Sequence, residues 1–374
     1  MVSLRAVPTM IAKRSIAPLP PNRIAVGRRK LTAGGSLPLW RDLCLRPAYK
    51  NCKNATCGVP RLLFFFAGLR MHGGMTVGKS ASGPAPGVRV TTRFFPVSEA
   101  LRPYCSIIYL TEVETPPGTR VEDYLHPEWT NLRFIDGERS LAAIGDVEPA
   151  PAPHFVVTGP TSHATYFAAG NMRAWGIGIL PAGWAKYFAV AAEEFADRFV
   201  DGAEHPAFAH LAPLGDWLRQ ANDVEAAARL LDDHFVSLLA GAPHDDPAVF
   251  AAHGALIDDE LTSVGELAGK LGLSERSVER LSQRAFGFPP KLLIRRQRFM
   301  RSLGRFMLDP SMSWIDTLDH QYYDQAQFTR DFQRFMGMSP RAYAALPKPI
   351  LGAAAHARAA AAGEAMQGLH KPAG

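Results

Sequence analysis

Hydrophobic residues recur at helical spacing in two similar stretches near the C-terminal end of the chain. In the first stretch, residues 262–287, one apolar face is followed by Gly272 and then by a second apolar face. A glycine here permits the positive φ of a tight turn, and Ser274 is placed to cap the second helix. The two faces consist of Val264, Leu267, Ala268 and Leu271, then Val278, Leu281 and Ala285. Two short helices with a glycine-containing break predict a helix-turn-helix unit.

The pattern returns in residues 313–337 with different residues. Ser313 and Asp316 favour a short helix, a turn follows at about residues 321–323, and Asp324 is placed to cap the next helix. The inward positions of that helix are Phe328, Phe332 and Phe335. The spacing therefore predicts a second helix-turn-helix unit.

An amphipathic stretch, residues 291–308, connects the two units. Its apolar stripe contains Leu292, Phe299, Leu303 and Phe306, and its opposite side carries Arg298, Arg301 and Arg305. A helix of this length is roughly 27 Å long. Two recognition helices held about that far apart match successive major-groove segments on one face of DNA, about 34 Å apart. The pattern thus predicts that one chain places two recognition helices in successive major-groove segments of double-stranded DNA.

The outer positions of the two second helices carry side chains that read bases. Arginine pairs with guanine and glutamine with adenine. The candidates are Arg276, Glu279, Arg280 and Arg284 in the first helix and Gln325, Gln327, Thr329 and Arg330 in the second, with Arg301 as a phosphate contact. Alone, such a basic face would be read as a solvated helix surface, but two units of matching spacing favour DNA. Glu279 either accepts from cytosine or pairs with a neighbouring arginine.

Two strings in this region resemble the AraC-type DNA-binding domain of bacterial transcription regulators. They are LAGKLGLSERSVERLSQRAFGFPP (Leu267–Pro290) and YYDQAQFTRDFQRFMGMSPRAY (Tyr322–Tyr343), and the second is the more specific. Family members commonly have Gly where this chain has Gln321, and His where it has Gln327. The resemblance implies that DNA is read by Arg276, Glu279 and Arg280 in the first unit and by Gln325, Thr329 and Arg330 in the second.

Upstream, the periodicity changes to that of short strands separated by turns, and helices follow. The predicted strands are residues 88–95, 105–113, 129–135, 154–158, 165–168 and 175–180, and the predicted helices are residues 184–196, 214–221, 224–239 and 247–260. Short strands with frequent turns favour a sandwich or small barrel. The string GIGILPAGWAKYF (Gly176–Phe188) is weakly similar to the barrel-to-helix passage of AraC-type sensor domains, which are often cupin-like. The fold class is therefore α+β.

Charge is unevenly distributed along the 374 residues and supports this division. The overall formal charge is +6, but residues 76–260 carry −13 and residues 261–346 carry +5. We expect a β-rich sensor or dimerisation domain at residues 87–246 and a basic DNA-binding domain at residues 247–346. The Ala/Gly-rich residues 347–374 are expected to form a frayed helix or a disordered tail. A basic unit of this kind is suited to a polyanion.

The first 75 residues carry a formal charge of +12, with Asp42 as their one acid. With the Gly/Ser/Pro linker at residues 76–86, they are predicted to be disordered or to precede a true start at Met71 or Met75. A targeting segment or a basic arm are the alternatives. Cys44, Cys52, Cys57 and Cys105 have neither zinc-site nor disulfide-framework spacing, which favours reduced thiols.

A cupin-like barrel suggests an alternative, a metal-dependent enzyme with an appended DNA-binding module. His126 and Glu128 are the nearest approach to a ligand pair. Nothing resembles a catalytic or nucleotide-binding motif, so we expect no enzyme activity, no metal and no cofactor. Aromatic residues of the β-rich segment either line a small-molecule pocket or form its core: Trp129, Phe134, Tyr166, Trp175, Trp184 and Tyr187.

The sequence therefore predicts a one-component, sequence-specific transcription regulator that responds to a small-molecule effector. RNA polymerase is an expected further partner, and so is a second copy of the chain. We expect no membrane association and a cytoplasmic, nucleoid-associated location in a bacterium. A protein-binding adaptor that no longer reads DNA is a further alternative.

Overall fold

Alternating and continuous apolar runs in the first half of the protein form two antiparallel sheets. The computed structural model describes residues 87–221 and 223–372, which belong to one compact unit. The predictions for residues 1–75, for the linker at residues 76–86 and for Cys44, Cys52 and Cys57 lie outside this range. Within it the strands are β1 (Arg89–Phe95), β2 (Cys105–Glu114), β3 (Val121–Leu125), β4 (Thr130–Gly137), β5 (Leu141–Ile144), β6 (Ala150–Pro151), β7 (Phe155–Thr158), β8 (Thr165–Ala169), β9 (Met172–Ile179) and β10 (Phe199–Asp201).

The larger sheet has the strand order β1-β2-β9-β4-β7-β10 and the smaller one β3-β8-β5-β6. Every adjacent pair is antiparallel, and β9 pairs with both β2 and β4 through Ile177, which lies opposite Ile108 and Leu132. Those three side chains are buried and belong to the main core. The α+β class and the β-rich first half are thus confirmed, and the sheets enclose a cavity between them.

Helices follow the sheets, as the pattern predicts. The first four are α1 (Pro181–Tyr187), α2 (Pro213–Gln220), α3 (Val224–Leu239) and α4 (Pro247–Ile257). The single helix predicted over residues 184–196 is wrong, because Phe188 is extended and the chain re-forms only as a 3-10 turn at Ala192–Phe195. The Trp184 indole donates to the Val190 carbonyl at 2.8 Å, which holds the chain in this bend.

The C-terminal half contains the predicted helical units and the helix that joins them. Their helices are α5 (Val264–Leu271), α6 (Glu275–Phe286), α7 (Pro290–Leu308), α8 (Trp314–Thr317), α9 (Gln325–Met336) and α10 (Pro340–Ala345). The main core runs without a break from the sheets into α5, α6 and the start of α7. The predicted boundary between residues 246 and 247 therefore remains a prediction, since the two halves share one core.

For residues 347–374, expected to be a frayed helix or a disordered tail, the described part is helical and packed against the sheets. Residues Leu351–Ala362 form helix α11, and Gln367–Leu369 form a 3-10 turn. Alanines allow close approach, so α11 packs on β1 and β3 and buries Ala354 and Ala355. Asp123 of β3 accepts from the backbone amides of Ile350 and Leu351 at 3.0 and 2.8 Å, which fixes the start of this helix.

Candidate nucleic-acid interface

The first helix-turn-helix unit is built as the sequence predicts. Gly272 ends α5 with φ +62°, a conformation that residues other than glycine rarely adopt. The Ser274 hydroxyl then accepts from the Ser277 amide and caps α6. The buried side of α6 contains Val278, Leu281 and Ala285. The outer side of the same helix is consequently left for solvent or DNA.

The second unit repeats this construction with aromatic packing. Asp324 caps α9 by accepting from the Gln327 amide at 2.6 Å, and Gly337 ends the helix with φ +71°. Phe328, Phe332 and Phe335 are fully buried against Phe299 of α7. These three aromatic contacts fix the rotation of α9 and hence which residues face outward.

The predicted base-reading residues occupy those outward positions. Exposed side chains are Arg276, Arg280, Gln325, Thr329 and Arg330, whereas Glu279 and Gln327 are half-buried. Within the described residues, Arg276, Arg280 and Arg330 make no hydrogen bond or ion pair to the protein, so their guanidinium donors are available to an external acceptor. The role of each in reading DNA stays a prediction.

Three other candidates are engaged within the protein. Arg284 pairs with Asp246, next to α4, at 2.9 Å. The Thr329 hydroxyl donates to the Gln325 carbonyl at 2.9 Å, and the Gln327 amide oxygen accepts from the Tyr323 backbone at 3.0 Å. These contacts are at the surface and are individually weak, so each group can exchange its partner for DNA.

The three arginines on the polar side of α7 have partners within the protein. Arg301 donates to Asp319 at 2.5 Å, and Arg305 donates to the Leu318 carbonyl at 2.9 Å. Arg298 lies over the Tyr322 ring and reaches Asp331 at 3.2 Å. The sequence missed these pairings because the partners lie 13 to 33 residues further along the chain, in the second unit. Arg301 thus anchors the second unit to α7, and its role as a phosphate contact stays a prediction.

Helix α7 is also fixed to the β-rich half by a buried arginine that the sequence analysis did not single out. The Arg296 guanidinium lies 3.9 Å from the centre of the Trp129 ring and donates to the Thr161 carbonyl at 2.8 Å. A second contact joins the Ala164 amide to the Phe335 carbonyl of α9 at 2.7 Å. The DNA-reading units are thus attached to the sheets through both the connecting helix and α9.

The cavity between the sheets has about 200 Å³ of free space. Its apolar lining includes Phe94, Ile107, Ile135, Val156, Phe167 and Met172, and its polar lining includes Tyr109, Glu128, Asn131, Arg133, Arg358 and Gln367. Of the aromatic residues considered either as pocket lining or as core, Trp129 and Trp184 are fully buried core residues, and Phe134 and Trp175 face the other side of the larger sheet. The C-terminal segment, residues 350–368, closes this cavity.

The family comparison matches the residues that build the two units. A family model described as a helix-turn-helix domain covers residues 267–345, from α5 to the end of α10. This part of the chain is therefore a helix-turn-helix domain, the class of DNA-binding unit that the sequence predicts. The match begins at Leu267, the first residue of the first string, and ends two residues after Tyr343, the last residue of the second. No curated protein matches the chain.

The chain is also similar, at low sequence identity, to several solved structures. ToxT from Vibrio cholerae is 10% identical with a TM-score of 0.35, covering 69% of this chain and 98% of that one. A ToxT structure described with bound unsaturated fatty acid is 9% identical with a TM-score of 0.36, covering 70% and 95%. The AraC-like transcriptional activator CuxR is 15% identical with a TM-score of 0.25, covering 57% and 86%.

The residues considered for a metal site, His126 and Glu128, have other partners. His126 Nε2 lies 2.7 Å from the Tyr343 hydroxyl, and Glu128 pairs with Arg133 at 2.6 Å. Burial lowers the pKa of His126 to about 3. In the part of the chain that the structure describes, no group of three or more His, Cys, Asp or Glu side chains is arranged to hold a metal ion. The metal-enzyme alternative gains no support from these two residues.

Cys105 is buried, and burial raises the pKa of its thiol. Such a group is a packing residue and not a reactive one. Among the described helices none has the length and apolar character needed to cross a membrane.

Proposed function

We propose that the protein is a DNA-binding transcription regulator of the AraC type, which reads its operator with the outer faces of α6 and α9, each in a major groove. One observation carries this proposal: the arginines at the exposed positions of both helices, Arg276, Arg280 and Arg330, have no partner among the described residues. Gln325 and Thr329 would add contacts in the second unit, while Glu279 and Arg284 flank the first. Helix α7 has 19 residues and a length of roughly 28 Å, which suits neighbouring groove segments.

We further propose that a small molecule in the cavity between the sheets modulates DNA binding. The cavity is mainly apolar with a few convergent polar groups, as ligand sites commonly are. Its wall includes the C-terminal segment, which also contacts α7. A ligand that prefers one arrangement of this segment would shift the population of DNA-competent molecules.

The remaining expectations complete the proposal. RNA polymerase and a second copy of the chain are the protein partners we propose, and the bacterial cytoplasm, on the nucleoid, is the proposed location. The proposed activity is binding and not catalysis.

Selection of genomic DNA fragments on the purified full chain tests the proposal. We expect a small set of fragments that share a sequence with two half-sites about one helical turn apart. Arg276→Ala should lose preference at one half-site and Arg330→Ala at the other, while Arg102→Ala, an exposed arginine of the β-rich half, should retain both. Enrichment of unrelated fragments at low salt would contradict sequence-specific reading.

A further inference from the structure

The cavity between the sheets contains one more positive charge than its own groups balance. Glu128 is paired with Arg133 at 2.6 Å, and both side chains are 14% exposed. Arg358 of α11 also lines the cavity, but no carboxylate of the described chain lies within ion-pair distance of it. One of its terminal nitrogens donates to the Glu364 carbonyl at 2.6 Å, and the other is buried without a partner.

An uncompensated buried cation is costly, and proteins rarely retain one without a counter-charge. Burial lowers the pKa of Arg358 to about 10, while the carboxylates of Glu128 and Glu364 act in the opposite direction. A pKa near 10 keeps the guanidinium protonated at neutral pH. His126, at the same cavity, is neutral there because burial lowers its pKa to about 3. The described lining therefore carries a net charge of about +1.

We propose that this cavity binds a small organic anion, and that Arg358, on the helix that follows the AraC-type domain, holds its acid group. This inference rests on the proposed function, in which the cavity is the effector site. A guanidinium offers a planar pair of donors that matches a carboxylate or phosphate. The Tyr109 hydroxyl, which lines the same cavity, is an additional polar group near this end.

The rest of the ligand must be small and apolar. The free space is about 200 Å³, and an apolar cavity of about 150 Å³ accommodates benzene. Phe94, Ile107 and Phe167 are among the apolar side chains of the lining that such a body could contact. The chemistry therefore fits a monocarboxylate with one ring or a short aliphatic chain.

The anchor lies on a segment that also fixes the connecting helix of the DNA-binding domain. Gln367 accepts from the Asn131 amide at 2.9 Å and donates to the Thr130 carbonyl at 3.0 Å. The neighbouring Gly368 carbonyl accepts from Gln297 of α7 at 2.6 Å. A ligand held by Arg358 would thus contact the same segment that joins the larger sheet to α7.

Titration calorimetry on the full chain at pH 7.5 tests the inference with phenylacetate, 3-phenylpropionate and hexanoate, each beside its uncharged amide. We expect at least one carboxylate to bind. Its amide should bind more weakly, with a dissociation constant that is higher by a factor of about 10 or more. Arg358→Met should weaken the carboxylate by about 10- to 100-fold and leave the amide unchanged. Arg102→Met should bind both probes as the unchanged chain does. Circular dichroism of each variant reports whether it is folded.

Three results would overturn the inference: no carboxylate binding below about 10 mM, equal binding of acid and amide, or full carboxylate binding by folded Arg358→Met. The acid–amide comparison on the unchanged chain needs no variant, so it decides even if Arg358→Met does not fold. Tight binding of an amide alone would retain the effector cavity and remove the anion. DNA-fragment binding by the same samples, without probe, reports on the AraC-type domain separately.

Discussion

The imidazole of His126 and the hydroxyl of Tyr343 lie 2.7 Å apart and are both buried. His126 follows β3 at the cavity, and Tyr343 belongs to α10, at the end of the second helix-turn-helix unit. Burial lowers the pKa of the imidazole and raises that of the phenol, so both are neutral at neutral pH. A neutral hydrogen bond across 217 residues of sequence therefore joins the sheets to the DNA-binding domain.

Tyr343→Phe should lower the free energy of unfolding by about 1–3 kcal/mol, because it leaves a buried His126 nitrogen without a partner. The ring packing against Phe332 is retained in this variant. Urea denaturation followed by fluorescence measures the change. Tyr323→Phe is the matched control, since Tyr323 is 95% exposed and should be neutral. Equal stability of the two variants would mean that water replaces the lost hydroxyl.

Arg301→Ala should destabilise the protein by about 3 kcal/mol, because Asp319 is fully buried and would lose its counter-charge. The measurement is thermal or urea unfolding. Arg305→Ala, one turn further along α7 and exposed, should change stability by less than about 1 kcal/mol. A stable Arg301→Ala protein with a reduced salt dependence of DNA binding would instead restore Arg301 as a phosphate contact.

Arg330→Ala should weaken binding to the selected operator by about 1–3 kcal/mol, since its exposed guanidinium has no partner in the described chain and faces the proposed groove. Competition gel shifts against mutated operators measure the loss and show at which base pair discrimination relaxes. Binding that falls equally for all sequences would make Arg330 a phosphate contact. Unchanged binding would remove α9 from the readout.

His253 makes the free energy of unfolding decrease more steeply as the pH falls below about 6.5. Burial lowers its pKa from 6.5 to about 3, and both ring nitrogens are buried without a partner in the described chain. Between these values the unfolded chain binds a proton that the folded chain does not, so stability decreases as the pH falls from about 6.5 towards 3. His126 adds the same dependence. Above about pH 6.5 neither contributes.

His253→Leu should therefore flatten the loss of stability between pH 6.5 and 5, by about 2 kcal/mol at pH 5. At pH 7.5 we expect equal or higher stability, because an unsatisfied polar ring is replaced by an apolar side chain. Urea midpoints across this pH range are the measurement. His356→Leu, at an exposed position, is the control. If the stability of His253→Leu and that of the unchanged chain fell equally between pH 6.5 and 5, His253 would not titrate in this way.

Local patterns were sufficient to predict the helical units. The caps at Ser274 and Asp324, the turn at Gly272 and the three phenylalanines of α9 act within a few residues of where they stand in the sequence. Six strands with mainly apolar sequences, β1, β2, β4, β7, β8 and β9, were predicted for the same reason. By contrast, β3 was missed because it contains Glu122 and Asp123, and the partners of the buried Asp123 are backbone amides at the start of α11, more than 200 residues away.

The arginines show where sequence reasoning fails. The local pattern places Arg301 on the polar side of α7 and singles out nothing at Arg296, yet Asp319 pairs with the first and Trp129 covers the second. Arg330 has no such partner among described residues and remains exposed. The same residue type is thus structural on α7 and available to DNA on α9, and only the tertiary contacts distinguish the two.

Gln367 supports the proposed coupling between cavity and connecting helix. Its amide is buried and bonds with Asn131 and the Thr130 carbonyl, so Gln367→Leu should cost about 1–3 kcal/mol by leaving those groups unsatisfied. Gln220→Leu, at an exposed end of α2, should not. Hydrogen exchange of α7 measures the effect, and we expect faster exchange near Gln297 in Gln367→Leu alone. Unchanged exchange there would mean that the C-terminal segment packs against α7 without stabilising it, and the route from the cavity to the recognition helices would then have to run through Arg296.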